Sequence, residues 1–159
     1  MIHLEKITWE NYSTVAVGLE LDEEQQKYLG NNELSLVQAY VSSVNDKYPW
    51  LPFAIYWNDT VIGFTMIAYN PNTDGIIKEK HYGIYRFMIA KKYQGKGYGR
   101  EALKKTIDKI KTFPYGETSA IYLSTKKENL VAKNLFLSVG FIETGEDDED
   151  GDVLAKLVL

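Results

Sequence analysis

The stretch from Tyr85 to Leu103 constrains this chain more than any other. An apolar run, Tyr85-Arg86-Phe87-Met88-Ile89-Ala90, passes through Lys91-Lys92-Tyr93 into Gln94-Gly95-Lys96-Gly97-Tyr98-Gly99, and then into Arg100-Glu101-Ala102-Leu103. The order predicts a strand, a glycine loop and a helix. Glycine lacks a Cβ, so ligand atoms can approach its backbone closely. The first helical turn leaves N–H groups without intrahelical partners, and the helix dipole places partial positive charge there. Together these form a seat for a phosphate or pyrophosphate. A purely structural turn is a poor explanation, because so many glycines in a row weaken packing. A dinucleotide-binding βαβ unit fails on context: the loop lies late in the chain and follows an antiparallel hairpin.

The rest of the chain alternates short elements. Ile2, Leu4 and Lys6 alternate with His3, Glu5 and Ile7 as a first strand. Thr8 is placed to cap a helix carrying Tyr12, Val15, Ala16 and Leu19. The acidic group Glu20, Asp22, Glu23, Glu24 suits the start of a second helix near Asp22, since a helix C-terminus is a poor place for negative charge. Asn31-Asn32 breaks the pattern, and Leu36, Val37, Tyr40, Val41 and Val44 restore it. Pro49 and Pro52 close this helical part. Phe53 to Trp57 and Val61 to Tyr69 form a hairpin across Asn58-Asp59, and Tyr82 to Ala90 is the strand entering the glycine loop. Leu103, Ile107 and Ile110 mark an amphipathic helix ending before Pro114, its lysines a solvated face. Ala120 to Ser124 reads as a buried strand. Asn129 opens a short helix with Ala132, Leu135, Phe136 and Val139, which Gly140 ends in a left-handed conformation. Strands from Phe141 and over Val153 to Val158 flank an acidic turn from Glu146 to Asp152.

Size and composition narrow the function. A chain of 159 residues suits one domain, 1–159. A net charge of −4 gives no general attraction to nucleic acid. With no cysteine there is no disulfide, thiolate nucleophile or thiolate metal site. His3 and His81 are far apart in sequence, so no metal site is expected. No apolar run approaches the ~20 residues that span a bilayer. Met1 to Ile7 reads as a strand rather than a signal peptide. These features point to a cytoplasmic protein without membrane or nucleic-acid partners.

The chain resembles the GCN5-related N-acetyltransferase (GNAT) family over nearly its whole length. Gln94-Gly95-Lys96-Gly97-Tyr98-Gly99 matches that family's central signature. A second signature, a short helix opening with Asn and ending in Gly-Phe, runs from Asn129 to Gly140-Phe141. Arg86 to Ile89 followed by Tyr93 to Gly97 looks most like bacterial diamine and spermine/spermidine acetyltransferases. The resemblance implies an α+β fold, a mixed and mostly antiparallel central sheet with helices on both faces in the order β-α-α-β-β-β-α-β-α-β-β.

It also implies acetyl-coenzyme A as donor, with no metal. The loop Gln94, Gly95, Lys96, Gly97, Tyr98, Gly99 would hold the pyrophosphate, with Lys96 and Arg100 adding charge at the rim. Met88, Ile89 and Ala90 would pair with the pantetheine arm, the N–H of Ile89 stabilising charge on the thioester carbonyl. Asn129 would hold the arm from the other side, or serve as a plain helix cap. Many members carry a tyrosine acid where this chain has Phe136. Tyr85, expected on the face of Ile89 by period two, is a replacement candidate; a water or an unassisted thiolate are the others. Glu23 and Glu24 in the first acidic group and Asp152 in the second are candidates for a cationic small-molecule amine acceptor, a diamine or polyamine. An antibiotic amine, a protein N-terminus and a non-catalytic acetyl-coenzyme A binding module remain alternatives. Family members often form homodimers.

Overall fold

The computed structural model describes residues 1–159. Seven strands form one sheet in the order β1-β2-β3-β4-β5-β7-β6. They are β1 (Ile2–Lys6), β2 (Leu51–Trp57), β3 (Thr60–Asn70), β4 (His81–Ile89), β5 (Ala120–Thr125), β6 (Ile142–Asp147) and β7 (Val153–Val158). All neighbours run antiparallel except β4 and β5, which are parallel and pair only at Tyr82 with Ile121 and Gly83 with Tyr122. Beyond Gly83 the two strands separate, and the sheet is split at its middle.

Helices cover both faces. On one lie α3 (Tyr98–Ile110) and α4 (Leu130–Leu137), whose Leu103, Ile107, Ile110 and Phe136 pack on Phe53, Ile67, Tyr82, Ile84, Ile121 and Leu123. On the other lies α2 (Asn32–Asn45), which with Val15 covers Ala54, Phe64, Met66 and Met88. Each aliphatic side chain so buried contributes about 2 kcal/mol. Asn31 does more than interrupt a pattern: its side chain accepts from the N–H of Glu33 and Leu34, capping α2. No helix is long and apolar enough to cross a membrane.

Two local expectations change and one is met. The segment expected as a helix from Thr8 is reduced to one π-helical turn, Thr14–Gly18. Asn11 explains this: its side chain accepts from the N–H of Thr8 at 2.8 Å and donates to the carbonyl of Lys6 at 2.9 Å, pinning a tight turn first. The helix expected near Asp22 is present as the four-residue α1 (Glu23–Gln26), with Asp22 at its N-cap. Pro52 lies inside β2, opposite Met66, and not before it.

Candidate active site

The split between β4 and β5 opens a cavity of about 630 Å3 that crosses the sheet. Gly95, Gly97, Gly99 and Arg100 line it, as do Asp148, Asp150 and Asp152. Gly97 is the N-cap of α3 with φ +83°, and Gly95 has φ +70°. Both conformations disfavour side chains. A Cβ added at either would meet nothing within 4 Å, so the loop faces open space at the positive end of a helix. This is the shape a bound pyrophosphate requires.

The neighbouring side chains divide. Gln94 turns inward: its amide donates to the carbonyl of Ile89 at 2.7 Å and pairs with the amide of Gln25. Arg100 lines the cavity and donates to the carbonyl of Ser138 at 3.1 Å, joining α3 to the end of α4. Lys96 and Tyr98 do not line the cavity; Tyr98 stacks on Trp57. Asn129 caps α4 by accepting from the N–H of Ala132 at 3.2 Å, and also sits on the cavity wall. Phe136 is 8% exposed and packs edge-on against Phe87 and Phe141. It contributes shape there and no proton.

Strand parity separates the three residues expected to pair with the coenzyme arm. Ala90 donates its N–H to the carbonyl of Ile62, so its backbone is committed to β3. Met88 faces β3 by the same alternation, and its side chain is buried under α2. Ile89 faces the split, where its carbonyl receives Gln94. Tyr85 is a further correction. Met66 pairs with Arg86 and Ile67 with Ile84, so Tyr85 is the extra residue of a β-bulge. The period of two breaks there, and Tyr85 lies away from the face of Ile89. It stacks on Trp50 at 5.0 Å on the α2 side, 42% exposed. Desolvation pushes its phenol above the usual value, so it keeps its proton at neutral pH.

The acidic groups also separate. Asp148, Asp150 and Asp152 reach the cavity from the β6–β7 turn, and Asp152 pairs with Lys126 at 2.8 Å. Burial acts to raise the Asp148 carboxyl, but the Ser124 hydroxyl and the N–H groups of Asp152 and Asp150 hold it below its usual value. Glu23 and Glu24 are not on this cavity. They border an adjacent depression between α1 and α4, beside Lys91 and Glu128.

The sequence profile of the acetyltransferase (GNAT) family matches residues 4–141. The chain belongs to this family. It is an acetyl-coenzyme A-dependent N-acetyltransferase, and the open glycine loop at the α3 N-terminus fits that coenzyme. A probable spermine N(1)-acetyltransferase of Bacillus subtilis subsp. natto (strain BEST195) is 28% identical over 95% of this chain and 94% of its own length. The spermine/spermidine N(1)-acetyltransferase of Bacillus subtilis (strain 168) is 27% identical over the same shares. Among solved structures, an aminoglycoside acetyltransferase with coenzyme A superposes with a TM-score of 0.77 at 18% identity, covering 99% of this chain and 95% of that one. The spermidine N-acetyltransferase of Vibrio cholerae with coenzyme A and spermine gives 0.70 at 18% identity, with the same coverage. Both share the fold.

The acetyltransferase cavity holds residues that sequence reasoning missed. Arg86 lines it half-buried, donating to the Ser35 hydroxyl at 2.9 Å and the Tyr85 carbonyl at 2.7 Å, with no carboxylate partner. Burial lowers its pKa. His81 and Tyr122 lie on the wall near the vertex of the split, their rings 5.1 Å apart. Glu79 accepts from the Tyr122 hydroxyl at 2.6 Å, from Ser119 at 3.1 Å and from Lys156. The one signal in the sequence was the apolar context of His81, at the head of a buried strand.

Proposed function

We propose that this acetyltransferase acts on a primary amine of a small cationic acceptor of the diamine or polyamine class. The observation that carries the reading is the single cavity joining the glycine loop to Asp148, Asp150 and Asp152. A polyamine carries several separated positive charges, and a carboxylate-lined arm of the cavity attracts them. The names of the two Bacillus subtilis relatives support the same class. Arg86 stands nearer the split without a counter-ion, and a like charge there disfavours the ammonium form of the amine that must react.

Acetyl-coenzyme A supplies an activated acetyl thioester. In this reading the N–H groups of Gly95, Gly97 and Gly99 and the Arg100 guanidinium hold its pyrophosphate, Ile89 aligns its arm through its backbone N–H, and Asn129 bounds it opposite. Most of the rate comes from placing amine and thioester together. Phe136 offers no proton, so Tyr85, which keeps its own, serves the leaving thiolate; a thiol of pKa about 8.5 needs little help. The chain acts as one domain over 1–159, and its lack of cysteine suits the cytoplasm.

The test is thiol release from acetyl-coenzyme A with spermidine, spermine, short diamines, an aminoglycoside and an N-terminal peptide. Turnover on the polyamines with weak activity on the last two is expected. Turnover confined to the aminoglycoside or peptide overturns the acceptor assignment.

A further inference from the structure

We propose that His81 accepts the proton that the acceptor ammonium must lose before it attacks the thioester. The proposal rests on the amine-transfer reading above.

His81 opens β4 and is 3% exposed, yet its ring is on the cavity wall. Its Nδ1 lies 2.8 Å from the carbonyl oxygen of Glu79. A carbonyl only accepts, so Nδ1 carries hydrogen and Nε2 keeps its lone pair. Nε2 bonds to no other group of the chain. A fixed tautomer with a free basic nitrogen on the cavity wall is what proton acceptance needs.

Position supports the same role. Two residues along β4, Gly83 pairs with Tyr122, and the strands part just beyond. His81 therefore stands about 7 Å of strand before the vertex, on the wall of the same cavity, where a chain of waters can connect it to the split. Gly83, between His81 and the split, carries no side chain, and the Tyr85 ring fills the space one would take: a Cβ there would come within 2.6 Å of it.

The charged and titratable surroundings allow the ring to be neutral first and charged later. Tyr122 faces it from β5, the Glu79 carboxylate from the preceding loop, and Lys156 on β7 pairs with that carboxylate. Burial pushes the pKa of His81 down, while the Glu79 carbonyl and charge pull the other way. At neutral pH the imidazole is a free base.

The step balances. The ammonium gives one proton to Nε2, through water. The amine nitrogen attacks the thioester carbonyl carbon, an N–C bond forms and the C–S bond breaks. Tyr85 gives its phenolic proton to the leaving thiolate and takes up the second amine proton in its place, and His81 returns its proton to solvent.

The chain has only two histidines, which makes the test direct. In the His3→Gln background, NMR titration reads His81 alone. Its pKa should coincide with the acid limb of kcat/KM for the amine, below the ordinary histidine value of about 6.5. His81→Gln should lower kcat by roughly 10²-fold or more and remove that limb, leaving coenzyme A affinity unchanged by calorimetry. In His81→Ala, added imidazole should restore part of the rate. A His81→Gln enzyme that keeps its rate and acid limb overturns the proposal. So does a slowed variant whose limb persists and which imidazole does not rescue, since that marks a structural role. A mismatch between the NMR and kinetic pKa values overturns it without any His81 variant. A wild-type protein inactive on every amine instead brings down the amine-transfer reading, and this proposal with it.

Discussion

The side-chain amide of Gln94 donates to the main-chain carbonyl of Ile89 at 2.7 Å, tying the glycine loop to the end of the strand that precedes it. Gln94 also pairs with Gln25, so one side chain links loop, strand and α1. Gln94→Glu places a carboxylate oxygen against that carbonyl. It should cost about 1–3 kcal/mol in urea unfolding and raise the KM for acetyl-coenzyme A more than Gln94→Ala does. An equal effect of the two variants would show that the carbonyl contact is unimportant.

Gly97 caps α3 at φ +83° with open space where a Cβ would point. Gly97→Val should abolish coenzyme A binding by calorimetry and lower stability by about 1–2 kcal/mol, because a β-branched residue resists the left-handed region. Gly97→Asn tolerates the backbone and isolates the second effect, blockage of ligand approach. Retained affinity in both would remove the loop from the coenzyme site.

Tyr85 and Phe136 stand on opposite faces of the sheet. If Tyr85 gives the thiolate its proton, Tyr85→Phe should lower kcat roughly 10-fold with the KM for acetyl-coenzyme A unchanged. Phe136→Tyr in that background should recover part of the rate, at some cost in stability for a buried hydroxyl. A Tyr85→Phe enzyme with full kcat assigns the proton to solvent.

Asp150 and Asp152 line the cavity, whereas Glu23 and Glu24 border its neighbour. Asp150→Asn combined with Asp152→Asn should raise the KM for spermidine several-fold, and the rise should shrink at high salt. Charge reversal at Glu23 and Glu24 should act more weakly. The reverse ranking would relocate the acceptor.

His81 also predicts a pH effect on stability. Burial lowers its folded pKa below the unfolded value of about 6.5. The unfolded chain then binds more protons between the two values, so this contribution is present above pH 6.5 and lost as pH falls through the folded pKa. Thermal unfolding from pH 7.5 to 5 should show a loss that His81→Gln lacks.

The strands, the glycine loop and the order of elements were legible because local sequence decides them. The Asn58-Asp59 turn between two apolar runs marked β2 and β3, glycine spacing marked the α3 N-terminus, and Asn129 with Gly140 marked α4. The open glycine turn on the cavity followed from these. On the far wall of the cavity only Asp152 was read in advance, since Tyr122 and His81 come from strands that meet only at the vertex of the split. Tyr85 was misplaced because period two assumes a regular strand, and the bulge against Met66 and Ile67 breaks it. The first helix was overestimated because hydrophobic spacing cannot report that Asn11 bonds backward to Lys6.

By itself, the sequence determined that Gln94 to Gly99 forms a glycine turn at the start of a helix, because backbone conformation and dipole are properties of a short contiguous segment. Only the tertiary structure decided which groups face that turn across the molecule. It turned Gln94 inward, committed Ala90 to β3 and brought His81 to the cavity wall. Those outcomes depend on strand register and on where β4 and β5 part, which are set by packing between residues distant in the chain.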